Sequence, residues 1–163
     1  MPHPIIDGDL PDNEILARIG TVTAEWQWLE SLMAEFLSKI CQADPGSMYV
    51  ITQKAGAANL VSWIKTLVEV RFDPPDFRKV ILDLFEEIDT ARLERNTVVH
   101  GLWYKGHEPG FGLTQTVSWT RAEVAKDEVW TLGDLDELID EIKTLQGGLG
   151  NLMLRLGFPQ HVK

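Results

Sequence analysis

The sequence predicts an all-α protein: a four-helix up-and-down bundle with a small β-hairpin insertion between its third and fourth helices. Two observations carry this prediction. Apolar residues recur at spacings of three and four along four long segments, and the stretch before the last segment is instead rich in Thr, Val and Trp. The 163 residues, 44% hydrophobic and 25% charged, suit one globular domain with a single core, which we expect to span residues 14–157.

Both ends of the chain are predicted to lie outside the bundle. Residues 1–13 are rich in Pro, Asp and Gly and lack periodicity, so we expect a loose arm there and a short tail at 158–163. The start lacks the basic and apolar segments of a secretory signal, no apolar run reaches the roughly 18 residues of a membrane span, and the single Cys41 has no partner for a disulfide. We therefore expect a cytoplasmic protein that does not enter a membrane.

Helices one and two follow from their apolar stripes. Helix one keeps its spacing over seven turns and ends at Asp44-Pro45-Gly46. A short connector leads to helix two, which closes at Phe72-Asp73-Pro74-Pro75 because proline cannot continue a helix. The predicted stripes are Ile15, Ile19, Val22, Trp26, Leu29, Met33, Phe36 and Ile40 in helix one, and Ala57, Leu60, Val61, Ile64, Leu67 and Val68 in helix two.

Helices three and four flank the insertion, which covers about 102–132 as a hairpin or three strands. We expect Asp76 to cap helix three, Gly101 to stop it and Asp134 to cap helix four. Gly147, Gly148 and Gly150 each weaken helix four by about 1 kcal/mol and either permit a close crossing or mark a break. The stripes are Phe77, Val80, Ile81, Leu84, Phe85, Ile88 and Ala91, then Leu135, Leu138, Ile142, Leu145, Leu149, Leu152 and Leu156.

Three polar residues gather at the end of helix three. Continuing its spacing past Ala91 places Arg95 on the apolar seam, where a guanidinium needs a carboxylate, a phosphate or water. Asn96 and His100 are four apart and share a face that Arg95 can reach. A cation, an amide and an imidazole suit metal-free cleavage of RNA, in which the 2′-hydroxyl attacks the phosphodiester. The structural alternative is that Arg95 and His100 only bond carbonyls of the last turn.

The net charge of −10, from 15 basic and 25 acidic residues, excludes broad charge-driven adhesion to nucleic acid or anionic lipid. Phosphate contacts must therefore be local. The least acidic third of the chain, residues 71–105, holds six bases against seven acids and contains the three polar residues. We select Arg92, Tyr104 and Lys105 there as further candidates for substrate binding.

The run Arg95-Asn96-Thr97-Val98-Val99-His100 resembles the Arg-x(4–6)-His signature of HEPN domains (higher eukaryotes and prokaryotes nucleotide-binding), in the form Arg-Asn-x-x-x-His. The resemblance covers roughly residues 14–157. It implies a homodimer whose two motifs face each other to form one composite, metal-independent endoribonuclease site. In that site Arg95 would contact the scissile phosphate, His100 would act in proton transfer or stabilisation, and Asn96 would position them.

One departure from the family pattern keeps other functions open. Some nuclease members carry a tyrosine two residues after the histidine, where this chain has Leu102; the nearest tyrosine is Tyr104. HEPN relatives also include non-catalytic domains that bind nucleotides, RNA or proteins, and a purely structural bundle is a third hypothesis. The expected partners are RNA or a nucleotide, a second copy and a cognate antitoxin protein.

No cofactor is expected. Glu25, Glu30 and Glu35 resemble the carboxylates of metal-binding bundles, but the Glu-x-x-His pairing of those sites is missing.

Overall fold

The structure is a computed structural model that describes residues 10–115 and 127–157. The described residues form a bundle of five helices with a three-stranded sheet inserted before the last helix, so the helical bundle is confirmed and the insertion exceeds a hairpin. The tail at 158–163 and most of the arm lie outside the described residues. The elements are α1 Asn13–Cys41, α2 Pro45–Thr52, α3 Ala57–Arg71, α4 Pro75–His100, β1 Leu102–Lys105, β2 Phe111–Gln115, β3 Asp127–Thr131 and α5 Leu132–Arg155.

A short helix, α2, replaces the connector predicted after helix one. Asp44 caps it by accepting a hydrogen bond from the backbone N–H of Ser47 (2.9 Å), and Pro45 occupies its first turn. The chain therefore reverses along α1 before α3 begins. At the far end of α3, Arg71 donates to the carbonyl oxygen of Ile40 at the end of α1 (2.8 Å), so α1 and α3 run in the same direction.

The long helix α4 runs against α1. Phe36 packs on Phe85 with ring centroids 5.6 Å apart, and Trp26 lies beside Arg95, so the contact positions advance on one helix as they recede on the other. The start of α4 differs from the prediction. Pro74 occupies its cap position, and no side chain caps the helix there. Asp76 instead lies in the first turn, where a negative charge favours a helix N-terminus.

The last helix, α5, runs parallel to α1. Arg18 contacts Asp136 at 2.6 Å, and Gln146 donates to the backbone oxygen of Glu25 at 2.9 Å, so the contact positions advance together. Three of the four long helices thus point one way and α4 points the other. The up-and-down order predicted for four helices is wrong because α2 supplies an extra reversal of the chain.

One apolar core joins the four long helices, and it contains most of the predicted stripe residues. Burying each Leu, Ile or Phe side chain there contributes roughly 1.5–3 kcal/mol. Val80 is the clear exception, with 54% of its surface exposed, because the inward face of α4 follows Ile81, Phe85 and Ile88 instead. Ile19, Leu67, Phe77, Leu84 and Leu156 are partly buried against the same core.

The cap of α5 lies three residues before the predicted one. Thr131 accepts from the N–H of Asp134 (3.1 Å), and the Asp134 carboxylate accepts from the N–H of Thr131 (2.7 Å), which forms a capping box. The glycine-rich part of α5 stays helical. A Cβ on Gly148 would lie 3.3 Å from the Leu84 side chain, so this glycine allows α4 and α5 to cross closely.

The sheet is antiparallel, with strand order β1-β2-β3, and it closes the end of the bundle where α1 begins and α4 ends. The Trp103 indole N–H donates to the backbone oxygen of Val98 (2.6 Å), and Gly110 N–H donates to Asp12 (3.1 Å). Residues 116–120, predicted as strand, lie outside the described residues. The sheet therefore fixes the last turn of α4, which contains the predicted site.

Candidate functional site

The side chain of Arg95 leaves α4 on the face that packs on α1. Its guanidinium carbon lies 5.8 Å from the ring centroid of Trp26, within the range of a cation–π contact. Trp26 is fully buried, and its indole N–H donates to Glu30 at 2.8 Å. Arg95 is half-buried as a result. The continued apolar spacing placed Arg95 on the seam, and the structure has it there.

The hydrogen-bond partners of Arg95 are neutral groups from its own helix. Nη1 donates to the Asn96 side-chain oxygen at 3.2 Å and lies 3.3 Å from Nε2 of His100. Nε is buried without a hydrogen-bond partner. In the described residues no carboxylate lies within ion-pair distance of this guanidinium. The structure therefore brings Arg95, Asn96 and His100 together and leaves the cation without an anion.

Burial lowers the pKa of Arg95, and the negative charge of Glu30 opposes that change. A guanidinium stays protonated in proteins even so, and Glu30, which forms no ion pair with it, offsets the cost of burying this charge only in part. An anion brought to Arg95 would relieve that cost.

The contact between Arg95 and His100 requires one particular tautomer of the imidazole. A guanidinium nitrogen can only donate, so Nε2 accepts in this hydrogen bond. That hydrogen bond requires the tautomer that carries its ring proton on Nδ1. His100 is exposed. If an anion takes the donors of Arg95, Nε2 is released as a proton acceptor.

The exposure of His100 follows from the position of α3. Ala58, in the first turn of α3, and Arg92 line one surface depression, so α3 begins beside Arg92. The final two turns of α4 extend beyond it and have no α3 residue at their side. His100 therefore lies exposed on a flank of α4 that α3 does not cover, and Arg95 is half-buried beside it.

Gly101, the residue that follows the site, has no room for a side chain. A Cβ on Gly101 would lie 1.8 Å from the Thr114 hydroxyl and 2.6 Å from the Thr97 carbonyl oxygen. Only glycine lets α4 pass directly into β1 at this point. Neither Arg95 nor His100 donates to a carbonyl of the last turn among the hydrogen bonds of the described residues. The capping role considered for these two side chains is therefore not the arrangement observed.

The three further candidates for substrate binding lie on two elements, Arg92 on α4 and Tyr104 and Lys105 on β1. Arg92 contacts Asp89 at 2.7 Å, which neutralises it. Tyr104 is half-buried and Lys105 is exposed, and as neighbours on β1 they project to opposite faces of the sheet. A contact of either with a ligand on Arg95 stays a prediction.

The negative charges concentrate on the opposite flank of α4. Glu94, Glu128, Glu137 and Glu141 line a groove between α4, α5 and β3. Burial raises the pKa of the Glu141 carboxyl, and the charges of Glu94 and Glu87 raise it further. A polyanion is repelled from this flank, so the flank beyond α3 is the electrostatically less unfavourable side of α4.

Sequence reasoning missed the support beneath Arg95. Trp26 was assigned to the seam of helix one, and Glu30 is four residues later, which places both on one face. Their position opposite Arg95 depends on how far α4 slides along α1. That register is a property of the packed bundle, and no spacing within a single helix reports it.

Known proteins provide no further guide to this site. No protein-family model matches the sequence, and neither the curated proteins nor the solved structures contain a significant match. The described residues contain no cluster of three or more His, Cys, Asp or Glu arranged to hold a metal ion. Among the same residues, no helix is long and apolar enough to cross a bilayer.

Proposed function

We propose that Arg95, Asn96 and His100 bind a phosphate group of RNA and that the protein is a metal-independent endoribonuclease of HEPN type. One observation carries the proposal: a half-buried guanidinium lies on an indole ring with only neutral hydrogen-bond partners. Bidentate recognition of phosphate is a preferred use of arginine, and such an anion would satisfy the free donors of Arg95.

The proposed reaction uses the neutral imidazole. A phosphate on Arg95 displaces the contact to His100, and Nε2 then accepts the proton of the RNA 2′-hydroxyl. The 2′-oxygen forms a bond to phosphorus as the bond from phosphorus to the 5′-oxygen breaks. The products are a 2′,3′-cyclic phosphate and a 5′-hydroxyl, which takes up a proton. Arg95 stabilises the negative charge on the phosphorane oxygens, and Asn96 holds Arg95 in place.

A second copy of the chain would supply the group that protonates the leaving oxygen. This part of the proposal rests on the motif's resemblance to HEPN domains. A dimer is also favoured by exposed apolar side chains at this end of the bundle, since Leu16 in the first turn of α1 and Leu102 at the start of β1 are 38% and 54% exposed. A purely monomeric protein at micromolar concentration in light scattering would contradict the composite site.

A non-catalytic module that binds RNA or a nucleotide is the second candidate. The specific observation in its favour is Leu102, which occupies the place of the tyrosine found in some nuclease members and exposes an apolar side chain there. The acidic surface favours it too, because a chain of charge −10 gains little from long-range attraction to RNA. A cognate antitoxin protein stays a proposal under both candidates.

Cleavage of RNA in EDTA tests the enzyme and separates the two candidates. We expect the wild-type protein to produce fragments ending in a cyclic phosphate, and Arg95→Ala and His100→Ala to lower the rate by about 100-fold or more. Arg71→Ala is the matched control, since it removes a cation far from the site. Equal rates in all four folded proteins would reject the enzyme. Binding of RNA that Arg95→Ala abolishes, without fragments, would establish the binding module instead.

A further inference from the structure

A single indole ring, that of Trp26, separates Glu30 from Arg95. The Glu30 carboxylate accepts from the indole N–H at 2.8 Å, and the guanidinium carbon of Arg95 lies 5.8 Å from the centroid of the same ring. Trp26 is fully buried, so the core holds this ring and with it the spacing of the two charged groups. The bundle therefore places a carboxylate near the guanidinium, although the two form no ion pair within the described residues.

The charge around Arg95 is nearly balanced before any ligand binds. Burial lowers the pKa of Arg95, and within the described part of the chain Glu30 is the charge that opposes this change. The preceding arginine on α4, Arg92, is neutralised by Asp89 at 2.7 Å. The side-chain oxygen that accepts from Arg95, on Asn96, is uncharged. The candidate site thus offers one cation with one anion close behind it.

The charge of a phosphate group decides how well such a site can hold it. Attraction to the half-buried Arg95 and repulsion from Glu30 grow in proportion to the ligand's charge, whereas the cost of removing the ligand from water grows with the square of that charge. A phosphodiester carries one negative charge. A phosphomonoester carries two above its second pKa of about 6. One cation with an anion behind it therefore suits the diester better than the monoester.

We propose that Glu30 is a specificity-determining residue that restricts the site to singly charged phosphodiesters, a proposal that rests on the binding of phosphate by Arg95 in the proposed function. Glu30 does not need to touch the ligand, because its charge acts across the indole ring. The acidic groove on the other flank of α4 adds to the same discrimination. Internal linkages of RNA are then accepted, whereas terminal phosphates, mononucleotides and inorganic phosphate are disfavoured.

Two small probes of similar size test the discrimination without RNA. At about pH 8, dimethyl phosphate carries one negative charge and methyl phosphate carries two. Binding is followed at constant ionic strength through the ¹⁵N–¹H signal of Arg95 Nε, which Arg95→Met identifies by removing it. We expect dimethyl phosphate to shift this signal saturably in the millimolar range. Methyl phosphate should bind about threefold more weakly or worse.

Two variants separate the charge of Glu30 from its hydrogen bond. Glu30→Gln keeps an acceptor for the Trp26 indole and removes the charge. It should strengthen the binding of dimethyl phosphate about threefold and of methyl phosphate about tenfold, because the repulsion is proportional to ligand charge, and so abolish the preference. Glu30→Asp keeps the charge and should retain the preference. The control is Glu14→Gln, which removes an equal charge about 18 Å along α1 from Trp26 and should change each affinity less than about twofold.

The outcomes separate this proposal from the preceding one. No saturable shift with either probe, equal or tighter binding of methyl phosphate to the wild type, or an undiminished preference in folded Glu30→Gln would each overturn the role of Glu30. If Glu30→Gln does not fold, the comparison of the two probes on the wild type decides alone. A preference for the diester in a protein that cleaves no RNA would uphold the role of Glu30 and reject the nuclease. RNA cleavage without that preference would do the reverse.

Discussion

Replacing Arg95 by methionine should remove function at little cost in stability, because the guanidinium is placed for a ligand and contributes little to the fold. Methionine reaches as far as the Nε position of the arginine, so it keeps the apolar stem and removes the guanidinium from the indole of Trp26. It removes the buried Nε that lacks a partner and the donors that reach Asn96 and His100. The free energy of unfolding then depends on two opposing changes.

The losses are small and the gain is similar. The cation–π contact at 5.8 Å is worth about 0.5–1 kcal/mol, and the two hydrogen bonds of 3.2 and 3.3 Å are worth about 0.5 kcal/mol each. Removing an unpaired buried donor gains about 1–2 kcal/mol, the lower part of the usual range because Arg95 is only half-buried. We therefore expect a net change of less than about 1 kcal/mol.

Urea unfolding followed by tryptophan fluorescence and far-ultraviolet circular dichroism measures this change. Arg71→Met is the matched control, since it breaks a 2.8 Å bond to the Ile40 carbonyl and should lose about 1–2 kcal/mol. Arg95→Met should also lose phosphate and RNA binding. A loss of more than about 2 kcal/mol in Arg95→Met would refute the reasoning, because Arg95 would then be a structural residue.

The remaining predictions concern the junction after the site and the acidic flank. Gly101→Ala places a methyl group against Thr114 and should lower the stability measured by thermal unfolding by about 2 kcal/mol or more. The control is Gly20→Ala, whose Cβ meets open space in a helix and which should stabilise the protein by about 0.5–1 kcal/mol. Equal effects of the two substitutions would contradict the crowding at residue 101. Glu141→Gln should raise the melting temperature at neutral pH and change little at acid pH. The pKa of Glu141 is raised in the folded protein, so its contribution is most favourable below its ordinary pKa and is lost as pH rises through the raised value; a larger effect in acid would contradict this sign.

The helices were predictable because each carries its own apolar period. The stripes of α1, α3, α4 and α5 match the core at most positions, and the position of Arg95 on the seam of α4 follows from the same period. Val80 is the exception. It and Ile81 are adjacent apolar residues near one face of the helix, and only the packing of the bundle determines which of the two is buried.

The helix caps and the directions of the helices were harder to predict from the sequence. Asp44-Pro45-Gly46 was predicted to end helix one, whereas α1 ends at Cys41, where Gln42 takes the left-handed backbone conformation, and Asp44 instead caps α2. Thr131 took the capping position expected for Asp134 because the two residues cap reciprocally. The direction of α3 followed from the missed α2. The support of Arg95 by Trp26 required the register between two helices distant in sequence.

The short helix α2 acts as a spacer that sets access to a site it does not touch. Its eight residues carry the chain about 12 Å back along α1 before α3 starts. One more turn in α2 would let α3 begin about 5 Å further along, beside Asn96 instead of Arg92, and would narrow the flank that leads to Arg95. The length of this connecting element therefore adjusts the width of the entrance while the groups inside it remain unchanged.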